Sequence, residues 1–284
     1  FQMPALQSLV PSLVPPAMLP RAMAMSSSGN QLAVIGGPAA AGVLFLGSGL
    51  TVYGVATVLL VLALLALLRI PDRRVAAMTP PTLHSMLAGA RFIGSRKLLL
   101  GAVSLDLVAV LFGGATALLP IFAKEILHVG PEGLGLLRAA PAVGALAMSL
   151  VLTRTPIRTR VGRWLLLSVG FYGLCMLVFG LSTQFWLSLG ALALSGAADM
   201  VSVVVRQTLV QLETPDDMRG RVGAVNSMFI GASNQLGEFE SGATAALLGA
   251  VGSVVLGGTA TVLIVAGWWK LFPSLAKRDR FTAP

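Results

Sequence analysis

Three acidic residues, Asp106, Asp199 and Glu238, lie inside long apolar stretches of the sequence. An ionisable group in such surroundings is costly, so by default it is either functional or paired with another group. A carboxyl group in a medium of low dielectric constant can hold a proton and exchange it near neutral pH. The three residues are therefore candidate proton carriers in a substrate or proton pathway.

Glu238 also belongs to a polar stripe along the sequence. Spacings of three and four residues place it on one predicted helical face with Ser227, Gly231, Asn234 and Ser241. A stripe that lines a water-filled cavity suits a polar ligand or a proton carrier, and Asn234 joins Glu238 as a candidate pathway residue. The alternative is a hydrogen-bond network between helices with no ligand. Glu240 lies on nearly the opposite face and is expected to pair with a neighbouring helix.

Two arginines accompany the acidic residues in apolar stretches. Arg206 lies seven residues after Asp199, two turns along one predicted face, so the two side chains are expected to reach different partners. Arg206 is near the end of its apolar run and is expected to extend towards the membrane surface, where charged groups cost less. Arg138 is a candidate for meeting an anionic substrate. The alternative, which the sequence favours slightly, is that it neutralises Glu125 or Glu132.

The cluster PDDMRGR at 215–221 is predicted to be a loop because of its proline and glycine. Its four charged residues are candidate gating or structural charges: Asp216, Asp217, Arg219 and Arg221. Such charges can bind helix ends in one conformation and release them in another. A plain solvated turn is the alternative, because loop charges are usually solvated.

The chain contains an internal repeat. Residues 4–42 align with 204–242 at a shift of 200 residues without a gap, and the matched positions include proline, methionine, glutamine and arginine. A repeat of this kind indicates a duplicated membrane unit. Arg21 aligns with Arg221 and is the one charge of the cluster that the first copy keeps, so it is a further candidate gating charge.

Composition places the chain in a membrane. Hydrophobic residues make up 56% of it and charged residues 11%, with a mean hydropathy of +0.86, whereas soluble domains carry about 25% charged residues. The net charge of +9 does not indicate a nucleic-acid partner, because the basic residues lie in short connections rather than in one patch. No metal-ligand spacing, phosphate loop or nucleophile motif is present, so an enzyme is not expected.

Eight apolar runs are long enough to cross a membrane as helices, which takes roughly 20 residues each. They are 26–46, 50–68, 98–122, 134–152, 164–181, 185–212, 222–248 and 251–272. Continuous runs favour helices over barrel strands, which alternate every second residue. Basic connections alternate with uncharged or acidic ones, so the basic loops and the C-terminus are predicted to be cytoplasmic.

The order of the spans, the repeat and the basic central connection resemble the major facilitator superfamily. More narrowly, GGATALLPIFAKEIL, GLGLLRAAPAVGALAMSL and TLVQLETPDDMRGRVGAVNSMFIGASNQLGEFESG are similar to the enterobactin-exporter-like branch of bacterial efflux carriers. The resemblance implies an all-α bundle of twelve helices in the bacterial inner membrane. It also implies a monomer without a cofactor that exports a small molecule by alternating access, with the proton gradient as its energy source.

The resemblance also divides the chain. Residues 1–84 correspond to the end of the N-terminal six-helix half, 85–97 to the end of the cytoplasmic central loop, and 98–284 to the C-terminal six-helix half. Eight full spans out of twelve lead us to expect an N-terminally truncated chain. The alternative to a transporter is a non-transporting membrane scaffold or an inactive remnant.

Overall fold

The computed structural model describes residues 49–69, 83–113 and 115–281, with short pieces at 33, 36–37, 40–41 and 44. In these ranges every regular element is helical. The predicted span at 26–46 falls mostly outside the described residues, and Arg21 falls outside them entirely.

Eight α-helices of the described ranges are named here in chain order. They are α1 (Gly49–Leu68), α2 (Leu83–Ser95), α3 (Lys97–Phe112), α4 (Pro131–Arg154), α5 (Val161–Leu181), α6 (Phe185–Glu213), α7 (Asp216–Leu271) and α8 (Pro273–Ala276). Between α3 and α4 lie a 3₁₀ turn (Ala115–Leu118), one helical turn (Leu119–Ile121) and a π-helical turn (Phe122–Ile126). The predicted all-helical fold is confirmed.

Six helical stretches in the described ranges are long and apolar enough to cross a membrane. Five of them reproduce predicted spans to within a few residues. They are α1, α4, α5, α6 and the stretch Lys97–Ile126, which consists of α3 and the short turns that follow it. Many large apolar side chains on these helices are exposed, as expected for surfaces that face lipid rather than water. The chain is therefore a multi-pass membrane protein.

The last stretch, Gly220–Leu271, has 52 residues, about twice what one crossing requires. Gly249 interrupts α7 with φ 75° and ψ 165°, a conformation that glycine adopts without steric cost. The Oγ1 atom of Thr244 and the Oγ atom of Ser253 lie 2.7 Å apart, although nine residues of one helix would span about 13 Å. The chain therefore reverses at Gly249, and α7 consists of two arms, 216–248 and 250–271. The sequence predicts an uncharged turn at this place.

The start of α7 corrects one prediction. The cluster at 215–221 is not a loop, because the helix begins at Asp216 directly after the N-cap residue Pro215. A proline at a helix start costs no hydrogen bond, and acidic residues in the first turn are stabilised by the helix dipole. The connection from α6 to α7 is therefore only Thr214 and Pro215.

The chain divides into two compact units, residues 1–80 with 131–139, and residues 81–130 with 140–284. The first unit contains α1, which has no buried residue. The division of the chain into family halves near residues 84 and 97 stays a prediction.

The second unit has a continuous core. Apolar side chains from α3, α5, α6, α7 and α8 form one buried cluster that includes Leu105, Leu165, Leu209, Val265 and Leu275. The C-terminal segment is fixed to the same core, because Arg278 Nη2 donates to the carboxylate of Glu213 at the end of α6. This core holds α3 and α6 side by side and so positions the polar groups described next.

Candidate functional site

A cavity of about 470 Å³ is lined by residues of α3, α5, α6 and the first arm of α7. It brings together four residues singled out in the sequence: Asp106 from α3, Asp199 from α6, and Asn234 and Glu238 from α7. Asn234 and Glu238 are one helical turn apart, so the period of the helix directs both towards one side. Three helices thus contribute carboxyl groups to one space inside the membrane-spanning bundle.

Asp106 is paired across the helix interface. Arg206 Nη1 on α6 donates to Asp106 Oδ2 on α3, and the two side chains are only 7% and 4% exposed for Asp106 and Arg206 respectively. The prediction that Arg206 extends towards the membrane surface is wrong. Two further turns of α6 follow Arg206 before the helix ends at Glu213, so Arg206 is not at the helix end. The Asp106 carboxylate supplies a counter-charge that offsets the cost of burying the guanidinium.

Asp199 and Glu238 are in a different electrostatic position. Both side chains are exposed and both line the cavity. Neither forms an ion pair with another residue that the structure describes. The cavity therefore contains one neutralised carboxylate, on Asp106, and two carboxyl groups without a direct counter-charge.

Two buried polar atoms near the pair have no hydrogen-bond partner within the described ranges. They are Ser202 Oγ, on a residue that lines the cavity and is 2% exposed, and Arg206 Nε. Buried polar atoms are nearly always paired, and an exception at a functional site points to a ligand or a water molecule. Ser202 lies one turn from Asp199 on α6, so its hydroxyl group and that carboxyl group share one side of the helix.

The rest of the cavity wall is largely apolar. Val169 and Met176 of α5 and Leu192 of α6 contribute to it. Tyr172 of α5 also lines the cavity, and its hydroxyl group donates a 2.8 Å hydrogen bond to the carbonyl oxygen of Gly113. Carbonyl groups at the end of a helix lack intrahelical partners, so this bond fixes the tyrosine ring against the end of α3. A cavity of apolar walls with a few convergent polar groups is typical of small-molecule sites.

The polar stripe on α7 reaches the cavity over one turn only. Ser227 and Gly231 are exposed and do not line the cavity, whereas Ser241 is buried and its carbonyl oxygen accepts a hydrogen bond from Ser253. Glu240 is half-buried, and its predicted partner on a neighbouring helix is not found among the described residues.

The remaining charged positions are not brought to the cavity. Arg138 is exposed in the first unit and forms no ion pair with Glu132 of the same unit in the described structure. Arg221 is exposed, and its Nη1 atom lies 3.6 Å from Met218 Sδ on the preceding turn. Three positions occupy the first turns of α7, with side chains outside the described part: Asp216, Asp217 and Arg219. Their gating role stays a prediction.

Some residues of the cavity wall could not be predicted from the sequence. Tyr172 gives no signal in the sequence because a tyrosine in an apolar run is usually an anchor near the membrane surface. Gln235 follows Asn234 directly and fell between the spacings of the stripe. The pairing of Asp106 with Arg206 could not be read from either helix alone, because it depends on how α3 and α6 pack.

Comparisons with known proteins agree with this architecture. The chain matches the family described as transmembrane secretion effector over residues 1–281. It is 31% identical over 258 residues to the enterobactin exporter EntS of Citrobacter koseri. It is 30% identical over the same length to the enterobactin exporters EntS of Escherichia coli O1:K1 and Shigella boydii serotype 18. Each comparison covers 88% of this chain and 59% of the relative, so the chain spans about three fifths of the length of these relatives.

The match to the family extends over nearly the whole chain and includes every helix that lines the cavity. The resemblance found in the sequence is thereby confirmed, and an enzyme is excluded because the family and these relatives are transporters. The chain belongs to the transmembrane secretion effector family of the major facilitator superfamily.

Proposed function

We propose that the protein exports a small organic molecule across the bacterial inner membrane, by alternating access and at the expense of the proton gradient. One observation carries the proposal: a single cavity joins carboxyl groups from α3, α6 and α7 within the membrane-spanning part. Its volume of about 470 Å³ falls in the range of small-molecule sites, roughly 300–1,000 Å³. The basic connections are placed in the cytoplasm by the positive-inside rule.

A membrane scaffold is the competing function, and the arrangement of charges argues against it. A scaffold needs no unpaired carboxyl groups around a cavity, because ionisable groups in a membrane are costly unless they serve a purpose. Asp199 and Glu238 have no direct counter-charge among the described residues. The relatives are exporters by name, and this favours transport over a purely structural role.

Two residues carry the proton in this proposal. Asp199 and Glu238 face the cavity, where water can deliver and remove a proton, and neither is held ionised by an ion pair. Asp106 has a different role, because its ion pair with Arg206 ties α3 to α6. The energy source is the proton gradient, and no cofactor is required. The chain is proposed to act as a monomer.

Inside-out membrane vesicles test the proposal with a broad panel of cationic, neutral and anionic compounds, which includes enterobactin because the relatives are enterobactin exporters. Vesicles with an acidic interior are expected to accumulate a transported compound and to release protons as they do so. Asp199→Asn and Glu238→Gln are each expected to reduce gradient-driven accumulation to the level of vesicles without the protein, because a neutral side chain carries no proton through the cycle.

Glu240→Gln is the matched control, since it removes an acid two residues along the same helix that does not line the cavity. It is expected to leave accumulation unchanged. Equal accumulation by the wild-type protein and both cavity variants would remove proton transfer from these residues. Failure to accumulate any compound of a broad panel would favour the scaffold.

A further inference from the structure

Among the described residues, the side chains that line the cavity and can carry a charge near neutral pH are all acidic. They are Asp106, Asp199 and Glu238, and no lysine, arginine or histidine among the described residues lines the cavity. In the described ranges, Arg206 is the one basic side chain that forms an ion pair with any of these three acids, and Asp106 is its partner. In the described part of the chain, Asp199 and Glu238 therefore give the cavity wall a negative charge when they are ionised.

A second, independent feature of the cavity indicates a ligand. Ser202 Oγ is buried on a cavity-lining residue and has no partner in the part of the chain that the structure describes. A hydroxyl oxygen has two lone pairs and can accept a hydrogen bond from an N–H group of a ligand. The neighbouring Asp199 carboxyl group, one turn away on α6, is purely a hydrogen-bond acceptor when it is ionised. The polar side of the cavity is thus rich in acceptors.

The other side of the cavity is apolar and favours an apolar ligand surface. Val169, Met176 and Leu192 offer aliphatic and thioether surface, and the ring of Tyr172 is held in place by its bond to Gly113. Aromatic rings attract cations through their electron-rich faces. A molecule that satisfies the whole cavity must therefore combine an apolar body with positive charge.

We infer that the cavity binds an amphipathic organic cation, and that Asp199 and Glu238 recognise its charge. The inference rests on the proposed function and narrows its substrate class. An anion of the same shape is repelled by both carboxylates, because like charges brought together at a binding site are unfavourable. The same two carboxyl groups then bind the cation and the proton alternately, since a protonated acid no longer attracts the cation.

A pair of probes with the same shape and opposite charge tests the charge preference. Tetraphenylphosphonium and tetraphenylborate differ in the sign of their charge while presenting the same apolar surface. Equilibrium binding to the purified protein in an uncharged detergent near neutral pH is expected to be saturable for the phosphonium and absent for the borate. Asp199→Asn and Glu238→Gln are each expected to weaken phosphonium binding by about tenfold or more, because each removes a charge that faces the ligand.

Glu240→Gln is again the matched control, with an expected affinity equal to that of the wild-type protein. Thermal unfolding of each variant verifies that the comparison is made on folded protein. Borate binding as tight as phosphonium binding would overturn the inference, as would absent phosphonium binding or an affinity unaffected in both cavity variants. Accumulation of a neutral or anionic compound by the vesicles would leave the exporter proposal intact in each of those cases, so the two failures are distinguishable.

Discussion

Replacing Arg206 by methionine is expected to destabilise the protein by about 3–5 kcal/mol, the usual cost of leaving one partner of a buried ion pair without its counter-charge. The Asp106 carboxyl group is the group left behind, with a side chain only 7% exposed. Asp106→Asn is expected to have an effect of similar size, because it leaves the Arg206 guanidinium buried and unpaired. Unfolding of the purified protein in mixed micelles measures both effects.

The double variant Asp106→Asn/Arg206→Met separates the ion pair from its two members. It removes both buried charges at once, and neutral replacements of buried pairs cost far less than single removals. We therefore expect it to be more stable than either single variant. If the two single effects simply add, the ion pair does not exist in the membrane. Transport by a stable double variant would further restrict the pair to a structural role.

Gly257→Ala is expected to cost about 1–3 kcal/mol, as is typical of added volume at a close-packed contact. The second arm of α7 crosses α3 at this glycine, and a Cβ atom there would collide with the carbonyl oxygen of Phe112. The first arm also approaches α3, though less closely, since a Cβ atom on Gly237 would lie 2.8 Å from the carbonyl oxygen of Val110. Small residues at such crossings let two backbones approach in the membrane.

The displacement of α3 that Gly257→Ala causes is also expected to alter the cavity. Gly113 follows Phe112 directly, and its carbonyl oxygen holds the hydroxyl group of Tyr172. Gly257→Ala is therefore expected to weaken ligand binding as well as thermal stability, both measured on the purified protein.

Gly267→Ala, on the same arm, is the control, and its expected effect on stability has the opposite sign. Nothing lies within 4 Å of a Cβ atom at Gly267, and alanine is favoured over glycine inside a helix by roughly 0.5–1 kcal/mol. A slight rise in melting temperature is expected. A Gly257 variant that is as stable as the Gly267 variant would contradict the close crossing of α3 and α7.

The positions of the membrane helices could be predicted because one long apolar run is enough to specify each of them. The helical period also placed Asn234 and Glu238 on one face, and both line the cavity. The other residues of the stripe do not line the cavity. Gly237 admits α3 close to α7 at this turn, whereas Ser227 and Gly231 lie on turns that do not reach the cavity.

The errors arose where a contact between helices overrides a local signal. Arg206 has the spacing and position of an arginine that reaches the membrane surface, and only the packing of α6 on α3 reveals its partner Asp106. The proline and glycine of the cluster at 215–221 are ordinary loop signals, yet Pro215 caps a helix that starts at once. In both cases the deciding information lies outside a window of a few residues.

The central claim is that the cavity between α3, α6 and α7 is the path of the transported molecule, and cysteine labelling tests it most directly. Cys175 is the only cysteine of the chain, so Cys175→Ala provides a background in which Asn234→Cys can be probed alone. Leu236→Cys is the control, because Leu236 is 57% exposed, does not line the cavity and points to the opposite side of α7.

A water-soluble, positively charged thiol reagent is expected to modify the cysteine at 234, to block transport, and to react more slowly when the transported compound is present. The cysteine at 236 faces lipid and is expected to stay unmodified, because its thiol meets no water in which to ionise. Equal labelling at both positions, or labelling at 234 that neither blocks transport nor responds to the compound, would contradict a path through this cavity.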